Sequence, residues 1–262
     1  LIPFNGWQDL PNFIATAIFA LSGDFLITLK IMIYGIFVIS AITSYALGYK
    51  MTHDQGSSII CSIGYTFSIQ HFADIHYGHM NLLAGFAVIP LTILVWDRLL
   101  EKPNPRNAIL GSFSLVLLFL IEWQCLFFAA LFILLRLTWY IKKNMAKSRD
   151  IVFHSAFSGA LFMLLAAPFL VPTLYYYGTT WNAESLAELP IQSYFVRPFV
   201  MRLGWDVPFS YVGIASLALL LIPMLITGNN HEAIQKVRSQ YRFFLAAALF
   251  FMFYSAANYA PI

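Results

Sequence analysis

Apolar residues along this chain come in long runs divided by short polar punctuation. They show neither the alternation of a half-buried strand nor the single apolar stripe of a surface helix. A helix needs roughly 20 apolar residues to cross a hydrocarbon layer ~30 Å thick. On that rule about eight spans are predicted: 25–47, 57–69, 81–96, two sharing the run 108–140, 151–171, 209–226 and 243–259. An apolar stretch at 13–21 is too short to span. Backbone polar groups must be paired within the segment in lipid, so runs of this length read as helices. The expected fold is all-α, a polytopic transmembrane bundle forming one domain over 1–262.

Charge placement gives the bundle a direction. With alternating spans, one side receives Lys50, Arg98, Lys102, Arg106, Arg136, Lys142, Lys143, Lys147, Arg149, Lys236, Arg238 and Arg242. The other receives Arg197 and Arg202. This asymmetry predicts that the basic face is cytoplasmic, and that residues 1–24 and the loop 172–207 lie on the extracytoplasmic side of a cell membrane. It also divides 108–140. As one helix the run would reach ~50 Å and put Arg106 and Lys142 on opposite sides. A hairpin turning near Glu122-Trp123-Gln124 keeps both on the basic side. Lys30 falls inside the first span, where its stem can snorkel to the interface or its ammonium can meet a phosphate.

Composition agrees. Hydrophobic residues make up 60% of the 262 positions and charged residues 10%, with a mean hydropathy of +0.74, too few charges to cover a water-facing surface. Cys61 and Cys125 sit inside apolar runs, so no disulfide framework is indicated. The first residues, LIPFNGWQDLPN, resemble the interior of a loop, and a preceding span or spans are expected. The basic loops have no phosphate-cradling glycine motif or triad signature. Nothing points to nucleic acid.

Chemistry-bearing residues collect on the other face. His71, Asp74, His76 and His79 fall within nine residues, followed by Asn81. Imidazole and carboxylate suit a divalent metal or a proton shuttle, although the spacing is not a standard zinc signature. Substrate contact and plain interfacial structure are the other readings of this loop, and Asn81 is placed to cap the following helix. Glu122 occupies the tip of the tight hairpin, either as a functional acid or as a group reaching headgroup water. Arg197 and Arg202 suit a lipid phosphate or diphosphate; pairing with Glu184, Glu188 or ordinary headgroups is the alternative. Asp9 and Asp24 complete the acids, Asp24 also being placed to cap the first span.

The stretch Gly64-Tyr65-Thr66-Phe67-Ser68 through His71, then Tyr77-Gly78-His79-Met80-Asn81-Leu82-Leu83, resembles an element of multi-spanning GT-C-type membrane proteins. These include YfhO-like proteins and the "6-pyruvoyl-tetrahydropterin synthase-related" membrane proteins. The hairpin at Glu122-Trp123, the long aromatic loop and the ending Ser255-Ala256-Ala257-Asn258-Tyr259-Ala260-Pro261 are also similar to that family. The resemblance implies a GT-C-like bundle and a glycosyltransferase that takes a sugar from a polyprenyl-phosphate donor. An acid in the first external loop acts as base or metal ligand in such proteins. Asp9 lies in the tail of the corresponding region, without an Asp-x-Asp or Glu-Asp pair.

On that reading Asp9, Asp74 or Glu122 supplies the carboxylate, and Arg197, Arg202 and Lys30 offset charge on the departing phosphate. His76, His79 and Asn81 contact substrate. A transporter or lipid flippase is the alternative, predicting ionisable groups at mid-depth, broken helices and internal repeats. In the sequence only Lys30 stands out inside a span, and no repeat is evident. A non-enzymatic cell-envelope assembly protein is the third reading.

Overall fold

The computed structural model describes residues 9–68, 71–72, 75 and 78–180. Every regular element among them is helical: α1 (Asp9–Ser22), α2 (Phe25–Thr52), α3 (Gln55–Thr66), α4 (Met80–Glu101), α5 (Pro105–Ile121), α6 (Trp123–Lys143) and α7 (Ser148–Thr180), with one 3-10 turn at Met145–Lys147. Among the described residues, four stretches are long and apolar enough to cross a membrane: Phe25–Thr52, Met80–Glu101, Trp123–Lys143 and Met145–Val171. The expected spans at 209–226 and 243–259 lie outside the described residues.

Local sequence explains where the helices start. Asp24 Oδ1 accepts from the Leu26 and Ile27 amides at 2.7 and 3.1 Å, the capping role expected of it. Asp54 Oδ2 takes the Ser57 amide at 2.7 Å, and these contacts to Ser57 hold its carboxyl below the usual range. Asn104 caps α5, with Pro105 in the first turn. Glu122 ends α5 and caps α6 through the Gln124 amide at 3.3 Å, so the 108–140 run breaks into a hairpin at the expected residue. One expected cap differs. His79, not Asn81, holds the N-cap position of α4, because that helix begins at Met80.

Contacts between helices bring part of the basic set together. Thr52 and Ser58 meet at the α2–α3 turn, Lys50 meets Glu101, and Asn107 Nδ2 donates to the Lys102 carbonyl. The C-terminal ends of α2 and α4 and the start of α5 therefore lie together, with Lys50, Arg98 and Lys102 among their last residues; this is the basic end. Glu122 marks the opposite, hairpin end.

α4 is the central helix and packs on α2, α5 and α6. Its neighbours close onto it through small and hydroxyl residues. Thr43 Oγ1 donates to the Ala87 carbonyl at 2.8 Å and Tyr65 Oη to the Phe86 carbonyl at 2.7 Å. Between α5 and α7, Ser112 Oγ donates to the Ser158 carbonyl at 2.8 Å. Lipid tails are as apolar as leucine, so close packing and such hydrogen bonds hold membrane helices together. α2, by contrast, leaves Ile31, Tyr34, Val38 and Ile42 exposed, as a lipid-facing helix does.

Candidate functional site: a recessed polar layer at the hairpin end

α3 has 12 residues, about 18 Å of helix, and stops roughly half-way along the ~42 Å of α2. It is too short to cross a membrane, which corrects the expected second span at 57–69. Thr66 Oγ1 reaches Ser40 Oγ at 3.4 Å, and the chain leaves the helix at that depth. Phe67 and Ser68 break the helix there, and His71 and Phe72 are helical again; such a break at membrane depth persists only where protein encloses it or where it lines a cavity.

His71 follows at this level and is 2% exposed. Its Nδ1 is 2.7 Å from Ser68 Oγ and its Nε2 3.5 Å from Ser40 Oγ, so both ring nitrogens face hydroxyls. The Tyr65, Phe37 and Phe86 rings surround it, with centroids 5.5 to 6.1 Å away. His71 therefore turns into the bundle, while His79 is exposed at the start of α4. Asp74 and His76 lie outside the described residues. Among the described residues no group of three or more His, Cys, Asp or Glu side chains comes together as a metal site.

Glu122 is 5% exposed, so its carboxyl is enclosed by protein at the hairpin. Gly85 of α4 makes the burial possible. A Cβ there would lie 2.6 Å from Cys125 Sγ and 3.1 Å from Glu122 Cβ, so only glycine lets the hairpin seat against α4. Gly85 is 16 residues, roughly 24 Å, from Glu101 at the basic end, short of a ~30 Å hydrocarbon layer. Glu122 and His71 are thus fixed on adjacent residues of α4, at Gly85 and Phe86. α1 reaches the same layer: Leu10 packs on the cluster that contains Ile121 and Cys125, and Asp9 is the residue before it.

The layer is recessed among the described helices. Thr43 and Ala87 lie level, yet Phe25 is 18 residues before Thr43 and Met80 only seven before Ala87. α2 therefore overhangs the start of α4 by roughly 16 Å. Lys30 is exposed on that overhang. Arg197 and Arg202 lie outside the described residues.

A second buried polar cluster was not anticipated. Arg136 Nε and Nη2 donate to Asp97 Oδ1 and Oδ2 at 3.0 and 3.2 Å, joining α6 to α4. Asp97 is 2% and Arg136 4% exposed, and the guanidinium lies 5.3 Å from the Tyr140 ring centroid. Arg136 is thus not a loop cation but lies inside α6, seven residues before its end. The sequence did carry a signal for one of the two: Arg136 is a lone charge between apolar residues, Leu135-Arg136-Leu137, whereas Asp97 is followed directly by Arg98. The Glu122 hairpin then puts the two at matching depth.

Compared with known proteins, the chain matches no family model, no curated protein and no solved structure.

Proposed function

We propose that this protein is a membrane transferase of GT-C-like architecture, with about eight spans, acting on a polyprenyl-phosphate-linked sugar at the hairpin end. That end would face the extracytoplasmic side of the cell membrane. The observation that carries the reading is the enclosed Glu122 carboxylate, fixed by the α5–α6 hairpin and Gly85 below the outer reach of α2. A carboxylate held at that depth is placed for a donor whose lipid tail lies in the bilayer. Glu122, or Asp9 as the alternative acid, takes the proton of an acceptor hydroxyl as its oxygen bonds to the anomeric carbon. The bond to the lipid phosphate breaks, and the phosphate leaves with the electron pair. Arg197, Arg202 and Lys30 offset its charge. His76, His79 and Asn81 contact the sugar, and a divalent ion held with Asp74 remains part of the proposal.

The test is transfer of radiolabel from polyprenyl-phosphate sugars to membrane acceptors by the purified full-length protein. Glu122→Gln keeps an oxygen for the Gln124 amide and is expected to lose at least about a hundredfold in rate. Arg197→Ala is expected to raise KM for the donor. Absence of transfer by the wild type with every donor would overturn the enzyme reading; full activity of Glu122→Gln and of Asp9→Asn would overturn the site.

One observation favours a transporter or flippase as the second reading. α3 is a half-span, followed by a buried histidine at mid-depth, the broken-helix geometry that such proteins use. Uptake or lipid scrambling by proteoliposomes, lost in His71→Phe and retained in Glu122→Gln, would select it.

A further inference from the structure

Away from the hairpin end, a cleft of about 570 Å³ opens between the last turns of α2 and α4 and the start of α5. Lys50, Arg98 and Lys102 line it, against a single carboxylate, Glu101. Arg98 and Lys102 are exposed, and among the described residues neither has an acidic partner. Lys50 Nζ is shielded from solvent and lies 3.1 Å from Glu101 Oε2, but its protons find no acceptor with hydrogen-bond geometry. Glu101 is itself shared, because Tyr140 Oη donates to its Oε1 at 3.4 Å. Cations at helix C-termini complement the macrodipole, and that accounts for their presence near these ends. It does not account for three of them around one cavity.

The walls say what kind of anion fits. Leu94 and Ala46 supply apolar surface, and the Tyr45 and Tyr49 rings stack 6.3 Å apart with 12° between their planes. Tyrosines of this kind mark the headgroup level of a bilayer. The cleft therefore joins a cationic floor to an apolar and aromatic side at the ends of two membrane-length helices. Basic pockets between transmembrane helices bind anionic headgroups in this way. We infer that this cleft holds the phosphate of an anionic phospholipid, with Arg98 and Lys102 as its charge partners and Lys50 as a donor from the cleft wall. The volume is ample for a phosphodiester and its glycerol. The site lies at the opposite end of the bundle from the proposed transfer site and does not depend on it.

The experiment uses the full chain in detergent, incubated with phosphatidylglycerol or phosphatidylcholine, with retained lipid counted by native mass spectrometry. Phosphatidylglycerol is expected to be retained over phosphatidylcholine. The Arg98→Gln/Lys102→Gln double variant should retain it roughly tenfold less, as loss of two headgroup-level charges implies. Arg106→Gln/Lys142→Gln removes the same charge from the same end outside the cleft and should leave retention unchanged. Lys102→Gln alone, at an exposed C-cap, should give an intermediate loss in a chain that stays folded. Equal retention of the two lipids, or equal losses in the two double variants, would overturn the site. Complete displacement of phosphatidylglycerol by inorganic phosphate at matched concentration would overturn the lipid and assign the cleft to a free anion.

Discussion

Two buried polar clusters among the described residues are built on different principles. At the hairpin end, Glu122 and His71 sit against neighbouring residues of α4: Glu122 accepts from the Gln124 amide, and His71 meets the hydroxyls of Ser68 and Ser40. Toward the basic end, Asp97 and Arg136 are enclosed as a bidentate pair that cancels its own charge. A matched pair locks two helices together and has little capacity left for anything else. At the hairpin end a carboxylate and an imidazole lie instead at breaks between helices, where buried ionisable groups are candidates for function. The difference separates a structural clamp from a candidate site.

The comparison can be broken most easily at the clamp. Asp97→Ala or Arg136→Ala leaves one charge buried without its partner, and either is expected to cost about 3–5 kcal/mol in thermal or SDS unfolding. The apolar double Asp97→Leu/Arg136→Met should recover most of that loss. Failure to recover would mean that the pair does more than cancel charge. Next in size is Gly85→Val, which forces Cβ and its methyls into Cys125 and Glu122. About 1–3 kcal/mol is expected, with the α5–α6 hairpin opening first in hydrogen exchange.

Smaller still is Ser68→Ala, which removes the nearer partner of His71. A loss of about 1–2 kcal/mol is expected, together with a changed His71 resonance in NMR. An unchanged resonance would show that the serine does not set the ring's environment. The smallest effect belongs to Asp54→Ala at the α2–α3 turn, a slight fall in melting temperature. Asp54 titrates below its unfolded value of 3.8, so its contribution is present above that pH and fades as pH falls through the folded value. The mutant and wild-type melting curves should converge in acid.

Much of the helical order was legible in residues alone. The break at Glu122, the cap at Asp24, and the gathering of Lys50, Arg98 and Lys102 at one end all follow from short-range rules and from charge placement. The candidate site was legible only in part. Glu122 and His71 stood out as residue types, but the sequence left open whether Glu122 is a functional acid or reaches headgroup water, and it placed His71 in an outer loop. The length of α3 was misread because Phe67 and Ile69 extend its apolar run beyond the point where the helix ends at Thr66.

What the sequence by itself determined is that the chain forms apolar helices and, among the described residues, where several of them begin and end and which basic ends lie together. Only tertiary structure decided that α4 is central while α2 faces outward, that Gly85 admits Glu122, and that Asp97 meets Arg136. The physical reason is that lipid and protein interior are similarly apolar. Hydropathy marks a residue as excluded from water in either place, and only packing between helices separates the two.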